Sequence, residues 1–239
     1  MISFPVSLAV PTAAMRFIRF GAIFSRQLAA VGLGAVLLVP GTLSGAEPLR
    51  LLAFGDSLTH GYGLVDGETF PEQLEAALKE AGHDVIVINS GNSGDTTASG
   101  RARLDWALAD NPDAVIVELG ANDGLRGLDP AQTFANLDAI LARFEKESIP
   151  VLLAGMLAPR NLGKDYTEEF DAAYPRLAEK YKVALYPFFL DGVVQNEKLN
   201  QPDGIHPNSE GVAIIVSKIL PQVEKLLRQA RQAESHNGG

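Results

Sequence analysis

The chain has 239 residues, of which 46% are hydrophobic, 7% aromatic and 21% charged, and it contains no Cys. This balance is typical of a globular protein and argues against intrinsic disorder, which requires low hydrophobicity and high charge. The absence of Cys excludes a disulfide scaffold, a Cys-ligated metal centre and a thiol nucleophile. The formal net charge of −9 argues against binding to a phosphate backbone, so we expect no nucleic-acid partner.

The first 46 residues have the features of a secretory signal peptide. They contain Arg16, Arg19 and Arg26 and no Asp or Glu, and an apolar run, Leu28–Val39, follows the arginines. A basic region followed by about 7–15 apolar residues is typical of a segment removed on export, whereas a membrane span requires about 20. We therefore expect an exported protein with no membrane anchor after cleavage.

The end of this segment indicates where cleavage takes place. Small residues, Ser44 and Ala46, occupy the −3 and −1 positions of a site after Ala46. Met15 directly precedes the arginines and is an alternative initiator to Met1. Removing residues 1–46 leaves a chain of the size expected for a single domain with its own core.

The remaining chain is predicted to form one α/β domain over residues 47–231, followed by a flexible tail over 232–239. Five short apolar runs predict buried strands: Leu51–Phe54, Val85–Ile88, Ala114–Leu119, Val151–Ala154 and Val183–Tyr186. Amphipathic segments between and after them predict helices: Pro71–Ala81, Thr97–Ala109, Pro130–Glu147, Glu168–Lys180 and Ser209–Arg231. Nearly continuous apolar strands indicate a parallel sheet covered on both faces. The predicted fold is a three-layer α/β/α sandwich with a doubly wound, five-stranded parallel sheet.

Two prolines lie within the predicted helices. Pro175 and Pro221 cannot donate a backbone hydrogen bond, and we expect each to kink its helix or to restart it.

Doubly wound sheets bind ligands outside the carboxyl ends of their strands, so the loops after the strands are the candidate sites. The first strand is followed by Gly55-Asp56-Ser57-Leu58. A Ser at a strand-to-helix turn exposes its hydroxyl near a helix N-terminus, which suits a nucleophile. Ser is also a common helix cap, and this segment alone does not decide between the two interpretations.

The next two loops offer hydrogen-bond donors. Gly94, after the second strand, allows a backbone N–H to approach a ligand without a Cβ in the way. Asn122, after the third strand, offers a side-chain NH₂ group. Taken singly, both loops are better explained as ordinary turns, in which Gly, Asn and Asp predominate.

The segment Asp203-Gly204-Ile205-His206-Pro207 precedes the last predicted helix. A carboxylate three residues before an imidazole can hold one ring N–H, which leaves the other nitrogen to take a proton from Ser57. Pro207 disfavours helical geometry at His206, so we expect the pair on a loop. A capping Asp and an incidental exposed His remain the alternative. Two ligands are too few for a metal site, and we expect none.

His60 is the main competitor for the role of general base because it lies only three residues from Ser57. Its position in the first turn of the next helix suits the rim of a pocket better than a proton acceptor. His206 is therefore the predicted base.

Four motifs in this order resemble the GDSL/SGNH hydrolase family: Gly55-Asp56-Ser57-Leu58, Gly94-Asp95, Gly120-Ala121-Asn122-Asp123 and Asp203-Gly204-Ile205-His206-Pro207. More closely, they are similar to its bacterial periplasmic thioesterase I, lysophospholipase L1 and arylesterase group. The resemblance covers nearly all of Leu51–Leu227. It implies a flavodoxin-like SGNH hydrolase fold and a periplasmic esterase or thioesterase acting on aryl esters, acyl thioesters or lysophospholipids.

The resemblance also implies a role for each matching residue. Ser57 corresponds to the nucleophile, His206 to the general base and acid, and Asp203 to the residue that orients the imidazole. The backbone N–H groups of Ser57 and Gly94, with the Asn122 side chain, correspond to the oxyanion hole. A small-molecule ester or thioester is the expected partner of a monomer that needs no cofactor.

The substrate pocket and two alternative functions stay open at this point. The loop after the fourth strand is apolar enough to receive an acyl chain, although an ordinary surface loop explains it as well. The predicted pocket residues are His60, Met156, Leu157, Pro159 and Leu162. A carbohydrate O-acetylesterase is the alternative enzyme, and a non-catalytic periplasmic carrier of acyl groups or lipids is the alternative of another class.

Overall fold

The computed structural model describes residues 47–237, which form a five-stranded sheet flanked by helices. The strands are β1 (Leu49–Gly55), β2 (Val85–Gly91), β3 (Ala114–Glu118), β4 (Val151–Ala154) and β5 (Ala184–Tyr186). They lie in the order β2-β1-β3-β4-β5, and each neighbouring pair is parallel. The segment interpreted as a signal peptide lies outside the described residues, and that interpretation stays a prediction.

Eight α-helices lie in this part of the chain: α1 (Ser57–His60), α2 (Phe70–Glu80), α3 (Thr97–Ala102), α4 (Leu104–Leu108), α5 (Ala121–Leu125), α6 (Pro130–Lys146), α7 (Lys164–Tyr181) and α8 (Ser209–Asn237). Helices α2 and α8 pack together, and α6 packs on α3 and α7. The central strands β3 and β4 are buried along their whole length, as expected for a sheet with both faces covered. The predicted three-layer fold is confirmed.

The strand order places the switch point of the sheet at β1. The chain leaves β1 to form β2 on one side and later returns to form β3 on the other. Loops after β1 and β3 therefore start side by side and diverge, which creates the crevice where such sheets bind ligands. Ser57 follows β1 and Asn122 follows β3, so the fold brings both to this crevice.

One predicted helix is divided by a tertiary contact, and another is longer than predicted. The predicted helix over Thr97–Ala109 is divided at Arg103, which ends α3 and precedes α4. The Arg103 guanidinium reaches back to the carbonyl of Gly55, at 2.8 Å. Helix α8 continues to Asn237, beyond the predicted end at Arg231, and no Gly or Pro lies between Arg231 and Gly238. The flexible tail over 232–239 stays a prediction.

Both prolines lie inside continuous helices, so neither helix restarts at its Pro, and the alternative of a kink stays a prediction. A Pro removes its own N–H from the helical ladder and its ring crowds the carbonyl one turn earlier, but the neighbours of Pro175 bind that part of α7 to the core. Tyr174 and Leu177 are fully buried, and the Tyr174 hydroxyl donates to the carbonyl of Leu119 at 2.9 Å. Over residues 47–237, no helix is both long and apolar enough to cross a bilayer.

Candidate active site

Ser57, His206 and Asp203 lie in hydrogen-bond contact at the carboxyl edge of the sheet. The Ser57 hydroxyl oxygen is 2.9 Å from Nε2 of His206, although the two residues are 149 positions apart. On the other side of the ring, Nδ1 lies 2.7 Å from Oδ2 of Asp203. Because a carboxylate only accepts, Nδ1 carries the proton and Nε2 is free to accept from the hydroxyl. The arrangement can move a proton off Ser57.

The loop before α8 holds this pair through its own backbone. Oδ1 of Asp203 accepts hydrogen bonds from the backbone N–H groups of Ile205, at 2.9 Å, and of His206, at 3.0 Å. The backbone N–H of Gln201 donates to the carbonyl of His206 at 2.7 Å. On the solvent side the ring of Tyr62 lies against the imidazole, with centroids 4.6 Å apart. His206 precedes α8, as Pro207 predicted.

The ionisation of Asp203 follows from these contacts. Burial acts to raise the pKa of the Asp203 carboxyl, but the hydrogen bonds from His206 and Ile205 outweigh it and lower the pKa to about 2. Its side chain is 36% exposed, so solvent also screens the charge. Asp203 is therefore ionised at every pH at which the imidazole can act as a base.

Three loops bring the predicted oxyanion donors together. Ser57 begins α1, Gly94 lies in the loop after β2 with a φ of +86°, and Asn122 lies in α5. The Nδ2 group of Asn122 donates to the carbonyl of Asp95 at 3.0 Å and to Oδ2 of Asp56 at 3.2 Å. Asn122 thus joins the loop of Gly94 to the segment that begins with Asp56 and Ser57.

The comparison with known families decides the class of the protein. The model of the GDSL-like lipase/acylhydrolase family matches residues 53–214. The chain belongs to this family. It is a carboxylic ester hydrolase, and the alternative of a non-catalytic carrier is wrong.

Curated relatives and a solved structure agree with this class. An arylesterase of Vibrio mimicus is 40% identical over 179 residues, which cover 74% of this chain and 90% of the relative. The thioesterase 1/protease 1/lysophospholipase L1 of Escherichia coli K12 is 37% identical over 193 residues, which cover 80% of this chain and 91% of the relative. The structure of AlinE4, an SGNH-hydrolase family esterase, is 49% identical with a TM-score of 0.65 and covers 77% of this chain and 99% of its own.

Asp56 is the helix cap of this GDSL-family site, so Ser57 is not the cap. Oδ1 of Asp56 accepts from the backbone N–H of Leu58 at 3.0 Å, which leaves the Ser57 hydroxyl to His206. The Asp56 side chain is fully buried. Burial raises the pKa of its carboxyl to about 6, against the lowering effect of hydrogen bonds from Leu58 and Asn122.

A second buried carboxyl, Glu118, lies behind Asp56 at the end of β3. Its Oε2 accepts from the Thr59 hydroxyl at 2.7 Å, and from the backbone N–H of Asp56 at 3.4 Å. Among the residues that the structure describes, none is a partner for its Oε1. Burial, and then the charge of Asp56, raise the pKa of Glu118 well above its ordinary value.

Arg103 fixes the loop of Gly94 to the first strand. Its Nε donates to Oδ2 of Asp95 at 2.6 Å, and its guanidinium lies 4.4 Å from the ring centre of Phe54. The backbone of Gly94 is held from the other side, since the guanidinium of Arg126 donates to its carbonyl at 2.9 Å.

Sequence reasoning missed the supporting residues Asp56, Glu118 and Arg103. A usable signal existed for two of them. Asp56 directly precedes a helix, where Asp is a favoured cap, and Glu118 is a charged residue at the end of an apolar strand. For Arg103, lying in the middle of an amphipathic pattern, the sequence carried none.

The structure separates the predicted pocket residues. Met156 is buried in the core, whereas Leu157 is 39% exposed. Pro159 and Leu162 lie along the α5 end of the site, where they are the near neighbours of Gly124 and Gly127. His60 is exposed at the end of α1. The assignment of these residues to an acyl pocket stays a prediction.

Proposed function

We propose that this enzyme hydrolyses esters and thioesters through an acyl-enzyme on Ser57. The observation that carries the proposal is the continuous line from the Ser57 hydroxyl through both ring nitrogens of His206 to the Asp203 carboxylate. A hydroxyl that donates to a neutral imidazole is activated as a nucleophile, and a carboxylate on the far nitrogen stabilises the imidazolium that forms.

The reaction has two halves with the same groups. His206 takes the proton of Ser57 as its oxygen attacks the substrate carbonyl, and then gives that proton to the leaving alcohol or thiol as the acyl–oxygen or acyl–sulfur bond breaks. Water then attacks the acyl-serine, with His206 again as base, and releases the carboxylic acid and the free serine. Each half passes through an oxyanion.

The oxyanion is proposed to lie among three donors. These are the backbone N–H groups of Ser57 and Gly94 and the side-chain amide of Asn122. Within the described residues, no protein acceptor takes the N–H of Gly94, which leaves it available to a ligand. Donors that are already oriented cost no reorganisation when charge develops on the substrate oxygen.

The substrate class is proposed from the names of the relatives and from the rim of the site. One relative is named as an arylesterase and another as a thioesterase and lysophospholipase. Side chains next to the proposed site residues are apolar and exposed, including Tyr62, Ile205 and Leu125. An apolar rim suits acyl or aryl groups. Aryl esters, acyl thioesters and lysophospholipids are therefore the proposed substrates.

Export is also proposed, on the pattern of residues 1–46, with the periplasm as the destination. N-terminal sequencing of the protein recovered from a periplasmic extract is expected to begin at Glu47. A sequence that begins well before Glu47 would contradict the cleavage assignment.

Fluorophosphonate labelling and ester hydrolysis test the mechanism together. The native enzyme is expected to be labelled on Ser57, and Ser57→Ala to lose labelling and about 10⁶-fold in kcat. Ser217→Ala, which changes an exposed serine of α8, is the matched control and is expected to behave as the native enzyme. Turnover by folded Ser57→Ala at the native rate would end the proposal.

A panel of p-nitrophenyl esters from acetate to palmitate, with an acyl thioester and a lysophospholipid, tests the substrate class. Hydrolysis that persists beyond short acyl chains supports an acyl or aryl binding surface. Strict preference for acetate, with faster release of acetate from an acetylated glycan, would instead favour the carbohydrate O-acetylesterase.

A further inference from the structure

The buried carboxylate of Asp56 is not needed for proton transfer at Ser57, yet the fold places it at the centre of the site. Burying a carboxyl group is costly unless it is hydrogen-bonded. Its two oxygens have different partners: Oδ1 accepts from the backbone N–H of Leu58 and Oδ2 from the amide of Asn122. One side chain therefore connects the helix that begins at Ser57 to the predicted side-chain donor of the oxyanion hole.

These contacts fix which way the Asn122 amide faces. Both of its neighbours, the Asp56 carboxylate and the Asp95 carbonyl, can only accept hydrogen bonds. The NH₂ group must therefore face them, and the reversed amide would set an oxygen against two oxygens. The charged acceptor holds the amide more strongly than the neutral one, because hydrogen bonds to ionised groups are about twice as strong. Since the NH₂ group has only two hydrogens and both have protein acceptors, an oxyanion can bind the amide only by displacing the neutral carbonyl of Asp95 from one hydrogen, while Asp56 keeps the other.

We propose that Asp56 is a positioning residue of the oxyanion hole, which holds the Asn122 amide in the orientation that stabilises the oxyanion while it caps the helix that supplies the Ser57 N–H. The inference rests on the proposed role of Asn122. Asp56 acts only through that amide and through the α1 backbone, and does not itself touch the substrate.

The surroundings of Asp56 add a dependence on pH. Four titratable groups interact with it: Glu118 from β3, Asp123 from α5, Tyr174 from α7 and His206 from the loop before α8. Asp123 is bonded to Thr97 and Thr133, and the pKa of Glu118 is raised by burial and then by the charge of Asp56. Burial leaves Asp56 with a pKa of about 6, so it gains a proton as the pH falls through that value. The charged acceptor of the Asn122 amide is then lost.

A double-mutant cycle tests the positioning role. Asp56→Asn is expected to lower kcat by about 10–100-fold with little change in KM. If the new amide keeps its oxygen on the Leu58 N–H, its NH₂ group faces the NH₂ group of Asn122, and if it turns over, the helix cap is lost. In an Asn122→Ala background, where the amide to be held is gone, the same change is expected to cost less than about threefold. Equal losses in the two backgrounds would overturn the inference.

The pH profile of kcat/KM supplies a readout that a purely structural role would not move. The ratio of native to Asp56→Asn kcat/KM is expected to fall as the pH falls through about 6, because Asp56 of the native enzyme then gains a proton and the variant has no such group. A ratio that stays constant from pH 8 to pH 5 would contradict the proposal.

Controls separate this inference from the proposed function. Asp105→Asn makes the same change at an exposed aspartate of α4, and is expected to keep the native kcat and the native pH dependence. Asp56→Ser keeps an oxygen that caps Leu58 but does not reach Asn122, so it is expected to lose activity as Asp56→Asn does. If both Asp56 variants fail to fold, its role is structural and the inference is wrong. If the single variant Asn122→Ala keeps the native activity, the proposed role of Asn122 in the oxyanion hole is wrong, whatever the Asp56 variants show.

Discussion

Asp203 and Asp56 each hold a side chain that is proposed to act on the substrate, but they do so in opposite surroundings. Asp203 lies on a loop with 36% of its side chain exposed, and its hydrogen bonds lower the pKa of the carboxyl to about 2. Asp56 is fully buried, and burial raises its pKa to about 6. Hydrogen bonding decides the direction of the pKa shift in the exposed carboxylate, Asp203, whereas desolvation decides it in the buried carboxylate, Asp56.

The difference has a consequence for how each carboxylate is used. Asp203 keeps its charge throughout the pH range of an esterase, so it can support the imidazolium at any stage of the reaction. Asp56 is charged only above about pH 6, and its charge destabilises the folded protein. Removing each carboxylate should therefore have different effects on activity and on stability.

The largest effect is expected at the exposed carboxylate. Asp203→Asn should lower kcat by about 10⁴-fold, because an amide no longer selects the imidazole tautomer that leaves Nε2 free to accept from Ser57. The fold should be retained, since the loop also depends on the bond between Gln201 and the His206 carbonyl. Steady-state kinetics and circular dichroism check both points. A loss below tenfold would mean that His206 is oriented without Asp203.

The next effect is expected at the residue that Asp56 holds. Asn122→Ala removes one of three proposed oxyanion donors and should lower kcat by about 10²–10³-fold, which corresponds to about 2.7–4 kcal/mol. KM should change little, because the donor acts mainly on the charge that develops in the transition state. A raised KM with native kcat would instead assign Asn122 to ground-state binding.

The contrast between the two carboxylates also shows what the sequence could predict. The bond between Asp203 and His206 spans three residues, so the spacing shows that it can form, and the family resemblance favours it over a capping Asp and an incidental exposed His. The five apolar runs predicted the sheet, and the central strands β3 and β4 are buried along their whole length. The contact between Ser57 and His206 follows once the sheet brings the two loops to one edge.

The supporting contacts were out of reach of the same reasoning. The side chains of Glu118 and Asn122, which bond to Asp56, are 62 and 66 positions away, on β3 and α5. Gly55-Asp56-Ser57 reads locally as a turn, and nothing in a turn indicates that its carboxylate is desolvated. The division of a helix at Arg103 likewise depends on the carbonyl of Gly55, 48 positions earlier. Packing at the crevice determines these features.

A smaller effect is expected on the free energy of unfolding, and its direction differs between Asp56 and Asp203. Asp56 binds its proton more tightly in the folded protein, so the free energy of unfolding falls as the pH rises from about 4 to about 6. A pKa raised from 3.8 to about 6 corresponds to about 3 kcal/mol above that range, and a hydrogen bond lost in Asp56→Asn offsets about 1 kcal/mol. Asp56→Asn should therefore be more stable than the native protein by about 1–2 kcal/mol at pH 8.

Urea unfolding at two pH values checks this sign. The gain of Asp56→Asn at pH 8 should disappear at pH 4, where Asp56 of the folded native protein is already protonated. Asp203→Asn should show no gain at pH 8, because the lowered pKa of Asp203 contributes stability as the pH rises from about 2 to about 4. Equal responses of the two variants would refute the contrast between the carboxylates.

The smallest effect is expected at Tyr62, whose ring covers the solvent side of His206. The ring of Tyr62, itself half exposed, lies 4.6 Å from the imidazole at an angle of 37°, where an aromatic face stabilises the imidazolium that forms during proton transfer. Tyr62→Leu should lower kcat about 2–5-fold, as expected for about 0.5–1 kcal/mol at an exposed site. Tyr62→Phe keeps the ring and should keep the native kcat. If Phe and Leu lower kcat equally, the hydroxyl of Tyr62 is responsible, and His206 depends on Asp203 without help from the ring.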